Sequence, residues 1–322
     1  MFLINNSCSD AMENVAKTFM QNNRQQEKVN PSHEWLQTAS TLSEALSYIK
    51  EFSGETFVIK CSENALNNPI LARQFAEDVV LLKQLGINPI VVHGGEPQVS
   101  KKLEQLKIHS SFINGLRVMD SVTVEIVEMV LSGLINEQIV LEISAAGGMA
   151  IGISGKNSGL IEARKLRQSV CDSDSNIERI IDLGFVGEPV RINPTLLQEL
   201  AESSVIPIVA PIAFGKNAET FSLNADTVAG CLAAAIAAKK LIIINDVPDG
   251  MNQGNKKLSI SEARKLSRSK KIPTEIITKL ETCLHALEND CEVAHILDGS
   301  LPHALLMAIF AKLGAGTVIY NN

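Results

Sequence analysis

The chain has 322 residues, 45% hydrophobic and 20% charged, and 29 Lys plus Arg against 36 Asp plus Glu give a formal net charge of −7. That apolar content is ample for a core and excludes a disordered chain, while 20 glycines without a period and six scattered cysteines exclude collagen-like and cysteine-rich scaffolds. No run of about 18 uncharged apolar residues reads as a membrane span, and the acidic balance argues against a nucleic-acid surface.

Residues 10–21 predict a helix with Ala11, Val15, Phe19 and Met20 on one face, and 22–31 a polar linker. A second helix is expected from Ser32 to about Ile49. The first residues are too short for a secretory leader, and Asp10, Glu13 and Glu27 are out of keeping with a transit peptide. No two cysteines are spaced C-x-x-C, so they read as small buried hydrophobes of a reducing cytoplasm.

Beyond this arm, Thr56–Ile59 reads as a strand, Ile70–Leu85 as a helix, Pro89–Val92 as a strand and Pro97–Leu106 as a helix. Ser121–Leu134 and Glu137–Ala146 are helical, and Ala150–Ile153 and Ile206–Val209 are strands. Ala225–Ala238 is an Ala-rich helix before the apolar strand Leu241–Ile244. Helices follow at Ser261–Leu266, Thr274–Leu287 and His303–Leu313, with closing strands at Val293–Leu297 and Thr317–Tyr320. Alternation of helices with fully apolar strands implies a mostly parallel sheet covered on both faces. Ligands of such sheets sit beyond the carboxyl ends of the strands.

The residues just after the strands carry the chemistry. They are Lys60-Cys61-Ser62-Glu63, His93-Gly94-Gly95-Glu96, Ser154-Gly155-Lys156 and Asn245-Asp246-Val247-Pro248. A lysine ending a buried strand is costly unless it meets a negative charge. A glycine pair between strand and helix lets backbone N–H groups approach an anion. Each signal is weak alone; together they suggest a phosphate or carboxylate site. Walker, dinucleotide-binding, zinc-protease and nucleophile-elbow motifs are absent from the sequence, and no residues are assigned to a protein-held metal.

The segments Val58-Ile-Lys60, Val91-Val-His-Gly-Gly95, Asn114-Gly-Leu-Arg-Val118, Asp182-Leu-Gly-Phe-Val-Gly187, Leu223-Asn-Ala-Asp-Thr-Val-Ala-Gly230 and Ile296-Leu-Asp-Gly-Ser-Leu-Pro-His-Ala-Leu-Leu306 keep one order. In them the chain resembles the amino acid kinase superfamily, and within it the N-acetylglutamate kinases of arginine biosynthesis, from about Phe57 to the end. The resemblance implies a three-layer α/β/α sandwich with a mostly parallel central sheet, and phosphorylation of the side-chain carboxylate of N-acetylglutamate by ATP with Mg2+. It implies Lys60, Lys279 and Asp226 as catalytic residues, the aspartate orienting the two lysines. Gly94, Gly95, Arg117 and Asn224 would hold the substrate, and Asp246, Val247 and Pro248 the nucleotide. Residues 1–52 would form a helical extension, 53–238 a substrate and dimerisation lobe, and 239–322 a nucleotide lobe. A cytoplasmic homodimer is expected, or a hexamer joined through the N-terminal helix. Bland readings stand beside these: Arg117 as a structural ion-pair partner, Asp226 as a helix cap.

The chain departs from the family at the site. The family writes K-x-G-G where Ser62 and Glu63 stand, and H-G-G-G where Glu96 ends the motif. Ser222 replaces an Asn, Asp249 follows Pro248, and Thr274-Glu275 replace a glycine pair before Lys279. A carboxylate about 4 Å from a phosphate charge costs about 4 kcal/mol at an effective dielectric of about 20. Glu63 and Glu96 therefore motivate an alternative reading, a catalytically weak subunit kept for assembly or regulation. Ala308 stands where arginine-inhibited members place a Glu, although His295 and Gly314 match, which argues against arginine inhibition.

Overall fold

Alternate residues of the central strands part to opposite faces, and both faces are apolar. Phe57 and Ile59 join one buried cluster with Val91, Ile208 and Ile242, whereas Val58 joins another with Ile90, Val92, Leu241 and Ile243. A strand of period two with no polar face must be covered on both sides. The computed structural model in which this is seen describes residues 33–113, 115–171, 178–245, 256–269, 272–310 and 316–321. The helix expected at 10–21 and the linker at 22–31 lie outside them. The chain divides into two compact units, Met1–Leu46 and Ser47–Asn322; the elements from β1 onward belong to the second.

The order begins with α1 (His33–Phe52), β1 (Thr56–Lys60), the short α2 (Glu63–Asn67), α3 (Pro69–Gln84) and β2 (Asn88–Val92). Next come α4 (Glu96–Gln105), the antiparallel pair β3 (Phe112–Ile113) and β4 (Leu116–Arg117), and α5 (Ser121–Glu128). A π-helical stretch, Met129–Ile135, joins α5 to α6 (Asn136–Ala145). Then follow β5 (Met149–Ser154), β6 (Ile161–Cys171), β7 (Glu178–Ile192), α7 (Thr195–Ala201) and β8 (Val205–Ala210). The short β9 (Ile212–Phe214) and β10 (Thr220–Ser222) precede α8 (Ala225–Ala235) and β11 (Lys240–Asn245). The last elements are β12 (Lys256–Ser259), α9 (Ile260–Ser267), α10 (Thr274–Leu287), β13 (Val293–Asp298), α11 (Ala304–Phe310) and β14 (Thr317–Tyr320).

The main sheet has eight strands in the order β12-β14-β13-β11-β1-β2-β8-β5. Its pairs are parallel except β13 with β14. Helices α3, α5 and α6 cover one face through Phe75, Val79, Val124, Val127, Ile139 and Ile143. Helices α8 and α10 cover the other through Val228, Leu232, Leu280 and Leu284. This is the expected three-layer α/β/α sandwich. Among the described residues, no helix is long and apolar enough to cross a membrane.

Beside short elements that the sequence reading did not include, among them α7 and the edge strand β12, two larger features depart from it. Strands β6 and β7 form a long antiparallel hairpin that closes with β9 and β10 into a small barrel. Charge hides these strands from a search for apolar runs. Arg164 pairs with Glu188 at 2.7 Å, Lys165 with Asp182 at 2.6 Å and Arg191 with Glu162 at 3.0 Å across them. The helices expected at 121–134 and 137–146 are instead one continuous helical run with the π-helical stretch inside it. An i→i+5 turn carries an extra residue that periodicity at 3.6 cannot show.

Helices α8 and α10 lie backbone-close. A Cβ on Gly230 would stand 2.7 Å from Thr282 Cγ2 and 3.1 Å from the Thr282 carbonyl oxygen. Gly230→Val is expected to lower stability by about 1–3 kcal/mol by overpacking, read as a lower urea midpoint. An unchanged midpoint would contradict the close contact.

Candidate active site

Lys60 ends β1, and its side chain is buried beyond the carboxyl end of the sheet. Asp226 stands in the first turn of α8 and Lys279 in α10, both buried. Lys279 Nζ donates to Asp226 Oδ2 at 2.6 Å, and Lys60 Nζ lies 3.3 Å from Oδ1 as an ion pair. The close contact at Gly230 and Thr282, one turn further along each helix, brings Asp226 and Lys279 together. Burial pushes the Asp226 carboxyl upward, but Lys60 and Lys279 outweigh it and hold the group below the usual carboxylate range. Burial pulls Lys60 downward, and Asp226 with Glu63 more than compensate, so its pKa is raised. Both groups are charged at neutral pH. The predicted catalytic residues thus meet as one triad. The capping alternative for Asp226 is corrected: Asn224 caps α8, accepting the Thr227 amide at 3.0 Å. Asn224 itself is exposed, with its side-chain oxygen engaged in that cap.

The turn His93-Gly94-Gly95 follows β2, next to β1 in the sheet. Leu131 and Ile135 of the π-helical stretch press on it from behind. A Cβ on Gly95 would lie 2.7 Å from Leu131 Cδ2 and overlap Ile135 Cδ1. Only glycine fits, and its amide faces the site side. There the acceptor is Glu63 Oε1, 3.2 Å away. Ser62 caps the short α2 by accepting the Ala65 amide at 3.0 Å.

Arg117 is buried on β4. Its guanidinium lies 4.6 Å from the centre of the Phe112 ring. It donates to Ser110 Oγ, to Glu96 Oε1 and, at 2.7 Å, to Ser100 Oγ, while its buried Nε has no partner. Together with Ser100, Ser110 and Phe112 it lines a cavity of about 550 Å3. The adjoining Met119 is held by β7: its amide donates to the Leu183 carbonyl at 2.9 Å, and its carbonyl accepts the Phe185 amide at 2.8 Å. The segments G-L-R-V and D-L-G-F-V-G are therefore one device for placing this arginine. The ion-pair reading of Arg117 describes its partner, Glu96, correctly.

The predicted nucleotide residues Asp246, Val247 and Pro248 lie outside the described residues, as does Gly314. Sequence reasoning missed Leu131 and Ile135, which back the glycine turn, and Ser100 and Ser110, which hold Arg117. The one available signal was Ser100 four residues after Glu96, on the same face of α4. Among the described residues, no cluster of three or more His, Cys, Asp or Glu forms a metal cage.

His93 is fully buried. Burial lowers its pKa to about 4, and its Nδ1 lies 2.8 Å from the Gly94 carbonyl oxygen. Because that value is below the 6.5 of a free imidazole, the unfolded chain takes up the proton first. The stability from a neutral His93 is complete above pH 6.5 and is lost as pH falls toward 4, about 3 kcal/mol in all. His295, lowered by burial to about 3, adds a loss of the same sign. Urea titrations between pH 7 and 4 should show a shallower decline for His93→Asn than for the wild-type chain. Parallel curves would contradict the buried neutral state.

Residues 55–298 match the model of the amino acid kinase family. The acetylglutamate kinase of Rhodospirillum rubrum is 51% identical over 288 residues, 88% of this chain and 93% of the relative. That of Rhodospirillum centenum is 49% identical over 289 residues, covering 89% and 95%. Among solved structures, N-acetylglutamate synthase from Neisseria gonorrhoeae, complexed with coenzyme A and N-acetyl-glutamate, is similar with a TM-score of 0.73. Its identity is 22% and the match covers 88% of this chain but 63% of the synthase, a likeness of fold alone. The chain belongs to the amino acid kinase family and, within it, to the acetylglutamate kinases.

Proposed function

We propose that the chain transfers the γ-phosphoryl group of ATP to the side-chain carboxylate of N-acetyl-L-glutamate, a step of arginine biosynthesis. The buried Lys60–Asp226–Lys279 triad at the carboxyl end of β1 carries this reading, beside relatives named for that activity. A carboxylate oxygen attacks the γ-phosphorus, the bond to the β–γ bridging oxygen breaks, and ADP leaves with the electron pair. The product is an acyl phosphate. The nucleophile is already anionic, so no general base is needed; in-line positioning and charge neutralisation do the work. Lys60 would meet the transferring phosphoryl group and Lys279 would approach from the nucleotide side, with Asp226 fixing both. Arg117 would grip the substrate's α-carboxylate with its planar fork, and its unpartnered Nε supports that role. Magnesium would travel on the nucleotide's phosphates. Residues 53–238 would form the substrate lobe and 239–322 the nucleotide lobe. The alternative of an inactive subunit has no support, since Lys60, Asp226, Lys279 and Arg117 all stand in place.

Wild-type chain should release ADP from ATP only when N-acetylglutamate is present. Lys60→Ala should lower kcat at least about 100-fold. Wild-type turnover no higher than that of Lys60→Ala would sink the reading.

We also propose a homodimer. β5 is an edge strand of the main sheet, and Met149 and Ile151 on it are exposed, as are Met129, Leu134 and Leu141 of the preceding helical run. An open edge flanked by large apolar side chains fits a second copy. The expected contact through residues 1–52 would join such dimers into a hexamer. Light scattering should give a dimer for the wild-type chain and a monomer for Ile151→Lys with unchanged circular dichroism. A wild-type monomer, or a variant that stays dimeric, would refute this interface.

A further inference from the structure

Two carboxylates of the chain sit on the groups that the proposed reaction needs for its substrates' anions. Glu63 Oε1 accepts the Gly95 amide at 3.2 Å and lies so near Gly94 that a Cβ there would overlap it. It also acts electrostatically on Lys60. Glu96, the residue after Gly95, accepts from Arg117 Nη2, and Ser100 Oγ donates to the same oxygen at 3.3 Å. One turn therefore carries both contacts.

Charge shows what these contacts do. Lys60 and Lys279 against Asp226 leave one positive charge in excess, which a transferring phosphoryl group requires. Glu63 cancels that excess. Glu96 likewise cancels Arg117. Glu96 is half exposed, at 52%, while Arg117 is buried, so the carboxylate compensates the guanidinium from the solvent side until another anion takes its place. The short α2 that Glu63 opens already has Ser62 as its cap. Glu63 is only partly buried, so both carboxylates can turn into water without becoming buried unpaired charges.

We propose that Glu63 and Glu96 are affinity-setting residues that hold the places of the two substrates' anions. Glu63 occupies the position of the transferring phosphoryl group, and Glu96 that of the carboxylate gripped by Arg117. Each is expelled by its own competitor: the phosphoryl end of Mg-ATP displaces Glu63, and the acyl amino acid displaces Glu96. The inference rests on the reaction proposed above and names the residues that tune it.

The test is a split between two Michaelis constants in the full chain. Glu63→Gln should lower KM for Mg-ATP about tenfold or more and leave KM for N-acetylglutamate within about twofold. Glu96→Gln should do the reverse. Glu63→Gly and Glu96→Gly give the same readings should the Gln variants fail to fold, as checked by circular dichroism. Calorimetric titration with Mg-ATP alone and with N-acetylglutamate alone reads the same affinities without turnover. A chain that binds both ligands but does not react thus refutes the reaction while still measuring the displacement. Four results overturn the inference. Weaker Mg-ATP binding in Glu63→Gln, with a raised magnesium requirement, makes Glu63 a cation ligand. Weaker N-acetylglutamate binding in Glu96→Gln makes Glu96 a positioning residue for Arg117. Equal shifts in both constants, or no shift in either, deny the assignment of one carboxylate to one substrate.

Discussion

A single buried carboxylate, that of Asp226, lets two lysines stand side by side out of water. An isolated ammonium in that position would lose its proton or force the site open. With Asp226 between them, Lys60 and Lys279 keep their places from two separate elements, a strand end and a helix. The rest of the C-terminal architecture serves this arrangement. Helix α8 must begin where Asp226 falls in its first turn, which Asn224 secures by capping it. Helix α10 must approach α8 closely enough for a 2.6 Å contact, which a residue without a side chain at 230 permits.

The Arg117 side of the site is built differently. Arg117 sits on a strand of only two residues, too short to fix anything by itself. Its position comes from outside: Met119 is clasped between Leu183 and Phe185 of the barrel hairpin. The barrel is thus less an appendage than the frame for one guanidinium. The two halves of the site are accordingly held by different means. The lysines are set by a central strand and a packed helix, whereas the arginine depends on side-chain contacts with Ser100, Ser110 and Glu96, on the ring of Phe112 and on the backbone hydrogen bonds of Met119.

Most of the sandwich was legible because β1, β2, β8 and β11 are apolar runs ended by polar or glycine residues, and such runs admit few alternatives. Lys60 was legible for the same reason, since a charge closing a buried strand demands a partner. That Asp226 is this partner was legible only through the resemblance to the kinase family, because no local pattern encodes the meeting of positions 60, 226 and 279 across the fold. The β6–β7 hairpin escaped notice because its charges are satisfied across the strands, a pairing invisible in a linear reading. The direction of Glu63 and Glu96 was equally illegible. A side chain's rotamer follows its neighbours in space, here the amide of Gly95 and the guanidinium of Arg117. The same amino acids with a different turn would face outward.

The π-helical stretch from Met129 to Ile135 has a consequence for phase. In an α-helix each residue advances the direction of side chains by about 100°, and a π turn shifts that count by one residue. Residues on either side of the stretch are therefore out of step with a uniform helix. Removing one residue there would restore regular helix but rotate everything beyond it, so that Leu131 and Ile135 could no longer both press on Gly95. Asn136, whose amide nitrogen donates to the Ile153 carbonyl at 2.9 Å, would turn away with them. The irregularity thus works as a vernier between two fixed scales, the glycine turn at one end and the edge strand at the other. Length in this segment is consequently a stricter constraint than the identity of most of its residues.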